Sequence, residues 1–261
     1  RLYLNLARSG GTLFSKCIGC MDGVMLLSET HPLGGATYNP ISQASRWYNL
    51  FSDADKQALA AQGDEISYLD AIDAIYPLVE ARGQTLLIRD WSHLDFTGVP
   101  FRDDLPGYST HLEQLQSRYD VIAAATVRHP VPLWLSLVHH FKERCDVPLN
   151  DFLAGYRKFA ELALETGFVR FETMLKNPEP TLKKLCSILE IPFDESYRER
   201  WASNRFVTGD SGVKGDNAME DEIRQSAEEP IYPSSVILDF ERSPDYRPAL
   251  SLLGYKPAKS A

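Results

Sequence analysis

The sequence lacks several features that would assign it to a class at once. It has four cysteines in 261 residues, too few for a disulfide scaffold of this length. It has no Asn-x-Ser/Thr sequon and no recognisable secretory signal peptide. No apolar run reaches the ~18 residues that a membrane-spanning helix needs. We therefore expect a cytoplasmic protein without a membrane span.

Basic charge is also scarce. The net charge is −9, from 27 Lys and Arg against 36 Asp and Glu. Because a general nucleic-acid binder needs a basic face, this balance argues against nucleic acid as a partner. An anionic ligand would need locally clustered arginines. The apolar share of 44% and the charged share of 24% are those of an ordinary globular protein.

Two familiar phosphate-binding motifs are absent as well. The chain contains neither G-x-x-x-x-G-K-[ST] nor G-x-G-x-x-G. A single C-x-x-C joins Cys17 and Cys20, and no second pair accompanies it. We interpret these two residues as buried thiols on a helix, and we predict no metal.

What the sequence does have is a strand, a turn and a helix at its start. Leu2–Leu6 is a short apolar run and predicts a buried strand, and a helix is predicted from Phe14 onward. The glycines between them let the backbone approach an oxyanion, and the first N–H groups of the helix point at it. The turn adds a guanidinium and two hydroxyl donors, from Arg8, Ser9 and Thr12. An ordinary strand-to-helix turn is the alternative interpretation.

Further strands alternate with helices along the chain. The strands are predicted at Gly23–Ser28, Thr85–Ile88, Tyr119–Val127 and Phe168–Phe171. This alternation predicts an α/β fold with a central parallel sheet and helices on both faces. Ligands of such sheets bind at the carboxyl ends of the strands. Four segments fall there and predict a site, namely Arg8, Glu29, Asp90–His93 and Arg128.

Three separated segments resemble the sulfotransferases that use 3′-phosphoadenosine-5′-phosphosulfate (PAPS). Ala7–Leu13 is similar to the loop that binds the 5′-phosphosulfate, closest to the bacterial Arg-Ser-Gly-x-Thr-Leu type. Val127–Pro130, with Ser136 eight residues after Arg128, resembles the segment that holds the 3′-phosphate. Val169–Pro178 resembles the Tyr-Glu-x-(apolar)-x-x-Asn/Asp-Pro segment, with Phe171 in the Tyr place.

The resemblance implies one P-loop-like, three-layer domain over 1–261, with acceptor-site insertions at about 29–84 and 94–118. It implies transfer of a sulfuryl group from PAPS to a hydroxyl or amine, with release of 3′-phosphoadenosine-5′-phosphate (PAP) and no metal. The acceptor is a small molecule or is bound to a carrier. The resemblance also assigns cofactor-binding roles to Arg8, Ser9, Gly10, Gly11, Thr12 and Leu13 at the phosphosulfate, Arg128 and Ser136 at the 3′-phosphate, and Phe171 at the adenine.

A general base must take the acceptor's proton, and two residues compete for this role. His93 follows a strand in Asp-Trp-Ser-His, which resembles the family's Lys-Thr-His, and we favour it slightly because its unperturbed pKa is near neutral. Glu29 lies where some bacterial members place a glutamate base. A hydrogen-bonded loop histidine and an ion-paired glutamate are the alternatives. His31 is a third candidate, and His129 is interpreted as structural.

The family's late Arg-Lys-Gly loop is not reproduced. Thr208–Asp216 lies about where it belongs, with Lys214 as its cation, and a plain surface loop is the other interpretation. Five aromatic residues suggest an apolar acceptor pocket or simple packing: Trp47, Tyr48, Trp91, Phe96 and Phe101. A catalytically silent PAP- or PAPS-binding protein of the same fold is the alternative function. A kinase-like nucleotidase is disfavoured by the missing Walker lysine.

Overall fold

The computed structural model describes residues 1–34, 39–61, 66–98, 104–142, 147–209 and 230–261. Within these ranges five parallel strands form a sheet in the order β2-β3-β1-β4-β5. The strands are β1 (Leu2–Asn5), β2 (Val24–Leu27), β3 (Thr85–Arg89), β4 (Ala123–Val127) and β5 (Phe168–Arg170). The predicted α/β fold with a central parallel sheet is confirmed.

Strand β1 lies at the centre of the sheet. Its Leu2 is opposite Ile88 of β3 on one side and Ala123 of β4 on the other. From β1 the chain runs to the β2 edge, returns to β3, and then crosses to β4. The direction of winding thus changes beside β1, which is where an open α/β sheet forms a ligand-binding crevice.

Thirteen helices occupy the described ranges. They are α1 (Gly11–Gly19), α2 (Pro40–Tyr48), α3 (Asp53–Ala61), α4 (Tyr68–Ala81), α5 (His93–Phe96), α6 (Thr110–Gln116), α7 (Pro130–Phe141), α8 (Leu149–Thr166), α9 (Phe171–Lys176), α10 (Pro178–Leu189), α11 (Tyr197–Arg200), α12 (Ser234–Glu241) and α13 (Tyr246–Leu253). None of them combines the length and the apolar character that crossing a membrane requires. The predicted return of the tail as short helices is confirmed by α12 and α13. Two further short strands, β6 (Ile231–Tyr232) and β7 (Lys259–Ser260), pair with each other.

Alternate residues of each strand enter two apolar cores, one on each face of the sheet. Leu2 and Leu4 pack with residues of α4, α8 and α13. Tyr3, between them, packs with residues of α1, α9 and α10. All three side chains are fully buried. Full burial of a side chain of this kind stabilises the fold by about 1.5–3 kcal/mol, so the sheet is fixed from both sides.

Helix α1 begins at Gly11 rather than at Phe14, and two strand boundaries and one helix cap also differ from the sequence predictions. Strand β4 begins at Ala123, because Arg118 and Tyr119 turn away to Asp73 of α4. Phe171 does not end a strand but begins helix α9. Asn177 precedes α10 as expected, yet its side chain makes no capping hydrogen bond.

Candidate active site

The turn after β1 leads into helix α1 without a side-chain cap. Arg8 and Gly10 both have positive φ, 65° and 86°, and the N–H of Ser9 turns back to the Leu6 carbonyl at 3.3 Å. Helix α1 begins at Gly11, and no side chain caps it. Ser9 does not point outward: its hydroxyl donates to the carbonyl of Leu6 at 2.7 Å. An uncapped helix start of this kind accepts an anion.

Close packing explains both glycines of the turn. A Cβ at Gly10 would lie 2.2 Å from the Phe171 ring, and one at Gly11 would lie 2.4 Å from the Asn5 amide and 2.7 Å from Arg89. Neither position has room for a side chain. The turn is therefore held against β1, β3 and α9, with its backbone as the surface that a ligand would meet.

Two predicted arginines meet beside this turn. Arg8 Nε donates to Ser136 Oγ at 3.1 Å, and Arg128 Nη1 donates to the Arg8 carbonyl at 2.9 Å. The Arg128 guanidinium lies 5.0 Å from the centre of the Phe171 ring. We call Arg8, Arg128, Ser136 and Phe171 the arginine cluster. The structure thus brings together residues that the sequence placed up to 163 positions apart.

Glu29 lies at the end of β2, in an ion pair with Arg89. Its φ is 56°, and Arg89 Nη2 lies 2.9 Å from Glu29 Oε1. Thr208 Oγ1 donates to Glu29 Oε2 at 2.7 Å, and the Thr208 carbonyl accepts from Arg89 at 3.1 Å. A Cβ at the next residue, Gly209, would lie 2.6 Å from the Thr12 hydroxyl. The Glu29 carboxylate therefore borders the turn.

Arg89 was not among the predicted site residues. It ends β3, is 4% exposed, and also donates to Asn5 at 3.1 Å. The available signal was a cation as the last residue of an otherwise apolar strand that ends at the site. Thr208 gave no comparable signal, because it lies 179 residues from Glu29.

His93 lies at the same edge but inside the protein. It begins α5, is 3% exposed, and its ring packs edge-on against Trp91 at 5.1 Å. Burial lowers the pKa of His93 to about 3, although the nearby Asp90 carboxylate acts in the opposite direction. The imidazole is therefore neutral at pH 7.

A buried polar network lies behind the Glu29–Arg89 pair. We define it as His31, Asp90, Asp95 and His111. His111 Nδ1 is 2.6 Å from Asp90 Oδ1, and His31 Nε2 is 3.1 Å from Asp95 Oδ2. Burial favours the neutral form of Asp90, but the electrostatic interaction with His31 and the hydrogen bond from His111 outweigh it and lower the pKa of Asp90 to about 2. The network joins the segments that follow β2 and β3 to the start of α6.

Three members of this network also lie close enough together to surround a metal ion, namely His31, Asp90 and His111. His31 Nδ1 accepts the Leu33 N–H at 3.0 Å. The proton of a neutral His31 is therefore on Nε2, the atom that would have to ligate. The short contacts to Asp90 and Asp95 have hydrogen-bond lengths. We interpret the group as a network of hydrogen bonds between carboxylates and imidazoles.

Several other predicted residues make capping or packing contacts. His129 caps α7, and its ring bonds the N–H of Val131 and the carbonyl of Lys256. Phe96 packs edge-on against Phe159 in the core. Trp47 and Tyr48 pack against Phe206. Lys214, Phe101 and most of Thr208–Ala218 lie outside the described residues.

Comparison with solved structures identifies the fold. A sulfotransferase domain from the curacin biosynthetic pathway aligns with a TM-score of 0.61 and 15% identity, over 98% of this chain and 97% of that one. A sulfotransferase domain from the Synechococcus PCC 7002 olefin synthase aligns with a TM-score of 0.57 and 19% identity, over 98% and 94%. No protein-family model matches the chain, and no curated protein matches it by sequence. The chain thus has the sulfotransferase fold.

Proposed function

We propose that the protein transfers a sulfuryl group from PAPS to a hydroxyl or amine of an acceptor and releases PAP. The observation that carries this proposal is that the uncapped start of α1 and the arginine cluster meet at the sheet's carboxyl edge, a region that we call the crevice. A nucleotide with phosphates at both its 5′ and 3′ ends needs two anion sites at opposite ends of one cleft. The sulfotransferase fold supports the same interpretation.

The residues of the crevice fit such a nucleotide. The N–H groups of Gly11, Thr12 and Leu13 suit the 5′-phosphosulfate, because they start a helix that has no side-chain cap. Arg128 and Ser136 suit the 3′-phosphate as charge-assisted and neutral donors. The Phe171 ring offers a flat apolar surface for the adenine. Arg8 lies between the two sites and contacts both Ser136 and Arg128.

We propose Glu29 as the general base, ahead of His93. The Glu29 carboxylate borders the turn through Gly209 and Thr12, whereas the His93 ring is enclosed and has a pKa near 3. PAPS supplies the sulfuryl group, Glu29 accepts the acceptor's proton, and Arg89 holds the carboxylate in place. Arg89 also places a positive charge beside the turn, where the oxygens of the transferred sulfuryl group would carry negative charge in the transition state.

The acceptor is proposed to reach this crevice between the segments at about 29–84 and 94–118. They follow β2 and β3, so they rise from the same edge of the sheet as Glu29. A small-molecule acceptor and a carrier-bound one both fit this arrangement. Within the proposal the whole chain, 1–261, acts as one sulfotransferase-like domain that uses no metal.

The proposal is tested by nucleotide binding and by transfer. Calorimetry should give much tighter binding of PAP than of 5′-AMP. Arg128→Ala should weaken PAP binding by about 10- to 100-fold, the value of a charge-assisted hydrogen bond, and leave 5′-AMP binding unchanged. Arg170→Ala is the matched control, because this guanidinium also ends a strand and lies 4.9 Å from an aromatic ring centre, that of Tyr255.

Transfer is then measured with sulfur-labelled PAPS on panels of sugar, lipid, small-alcohol and carrier-bound acceptors. Equal binding of PAP and 5′-AMP would contradict the cofactor assignment. Tight PAP binding without transfer to any acceptor would favour the catalytically silent alternative. The observation that favours this alternative is that the Glu29 carboxylate is already ion-paired with Arg89 and hydrogen-bonded to Thr208.

A further inference from the structure

The outer edge of the sheet carries a second surface, away from Glu29 and Arg89. Strand β5 pairs with β4 alone, so its other side is an open edge within the described ranges. A cavity of about 410 Å³ lies along the strand, and a second, of about 370 Å³, lies past its end. Arg170 and Thr173 line both. We call the two cavities together the β5 groove. Residues that line it include Phe168, Arg170, Lys176, Lys184, Tyr232 and Lys256.

The β5 groove is basic. Its lining includes five cationic side chains, those of Arg170, Lys176, Lys184, Lys256 and Lys259, against one carboxylate. That carboxylate, Glu172, is used internally: Oε1 accepts the His129 N–H at 2.8 Å, and Oε2 accepts the Tyr255 hydroxyl at 2.7 Å. It therefore does little to neutralise the lysines.

Basic side chains elsewhere on the surface are mostly paired. Examples are Arg118 with Asp70, Arg157 with Asp245, and Arg247 with Glu241. Lys176 and Lys256 are exposed, and neither has a carboxylate partner among the residues that the structure describes. The β5 groove thus gathers five cations on a chain whose net charge is −9.

Apolar surface accompanies the charge. Lys184 Nζ lies 5.9 Å from the centre of the Phe168 ring, and the Arg170 guanidinium lies 4.9 Å from that of Tyr255. Ile231, beside Tyr232, is 65% exposed. A partner that fits this surface offers carboxylates together with apolar side chains.

We infer that the β5 groove binds an acidic segment of a partner protein, in an extended conformation and with apolar residues between its carboxylates. A small anion fits less well, because the cations are distributed over two cavities and Arg170 already donates to the Leu253 and Gly254 carbonyls. A nucleic acid, which is longer than the groove and carries negative charge throughout, would be repelled by the chain's net charge of −9. This inference does not depend on the proposed transferase activity.

The test uses a fluorescein-labelled ten-residue peptide of alternating Glu and Val, with the Lys–Val peptide as the charge control. Fluorescence anisotropy should show that the Glu–Val peptide binds and the Lys–Val peptide does not. The affinity for the Glu–Val peptide should fall as the salt concentration rises. Lys176→Glu combined with Lys256→Glu should weaken it at least tenfold. Lys158→Glu is the matched control, an exposed lysine on α8 outside the groove lining, and should change it less than twofold.

Two further measurements keep the result interpretable. Lys176→Gln with Lys256→Gln should give a smaller loss at an unchanged melting temperature, which separates charge from misfolding. Binding should persist in saturating PAP. No peptide binding at low salt, an equal loss in the Lys158→Glu control, or displacement by PAP would each overturn the inference. Sedimentation showing a dimer that the double Glu variant dissociates would instead assign the groove to a second copy of the chain.

Discussion

The arginine cluster and the buried polar network lie at the same edge of one sheet and use charge in opposite ways. In the cluster, Arg8 and Arg128 contact a hydroxyl, a carbonyl oxygen and an aromatic ring. In the network, Asp90 and Asp95 contact imidazoles and hydroxyls in the interior. The arginine cluster places two guanidinium groups near the start of α1. The buried polar network uses hydrogen bonds between buried carboxylates and imidazoles to join strand ends.

The difference separates residues expected to change activity from residues expected to change stability. Variants in the crevice should leave the fold intact and alter ligand affinity or turnover. Variants in the network should unfold the protein before they reveal any chemistry. Each prediction below can break or sharpen this division, beginning with the largest effect.

Glu29→Gln should lower kcat by about 10²- to 10⁴-fold, the usual contribution of a general base. PAP affinity should stay nearly unchanged, whereas the unfolding free energy should fall by about 3 kcal/mol, because the amide leaves the buried Arg89 guanidinium without its ion pair. Glu172→Gln is the control, since this carboxylate lies in the first turn of α9 and also accepts a hydrogen bond from a hydroxyl, that of Tyr255. Equal losses of kcat in the two variants would remove Glu29 from the base role.

Acid should destabilise the protein through His93. Its folded pKa, about 3, lies below the ordinary value of 6.5 because the ring is buried. The unfolded chain therefore binds the proton first, and stability is lost as pH falls from about 6.5 to 3. The loss is on the order of 4 kcal/mol, and burial of His111 adds in the same direction.

Urea unfolding at a series of pH values measures this effect. A His93→Phe variant should show a shallower fall in unfolding free energy over the same pH window. A slope identical to that of the unmodified chain would contradict the buried, neutral assignment of His93.

Asp90→Asn should cost about 3 kcal/mol of unfolding free energy, because it leaves a buried network without its central charge. The control is Asp239→Asn on α12, whose ion pair with Arg242 is exposed and should change stability by less than about 1 kcal/mol. Chemical denaturation of both variants makes the comparison. Losses of the same size would show that the network contributes no more than a surface pair.

Ser136→Ala should have the smallest effect. It removes the hydroxyl that accepts a hydrogen bond from Arg8 Nε, a contact worth on the order of 1 kcal/mol at this partly exposed position. We expect PAP binding to weaken roughly fivefold, with 5′-AMP binding unaffected. Thr166→Ala, which removes a hydroxyl bonded within α8, is the calorimetric control.

Local sequence patterns were sufficient to predict the strands and the turn after β1, and to place Arg128 at a strand end. It was insufficient where a role depends on a distant partner. Thr208 reaches Glu29 across 179 residues, and no periodicity encodes that contact. Burial decided the case of His93: its position at a strand end was predictable, but the packing that lowers its pKa was not.

The contact between Gly10 and Phe171 has a consequence for how this protein evolves. A methyl group at position 10 would overlap the ring, and the backbone there is left-handed. A larger residue at position 10 therefore requires a smaller one at position 171, and the loss of the ring would remove the surface that we propose for the adenine. Among descendants of this chain, the two sites should change together or remain as they are.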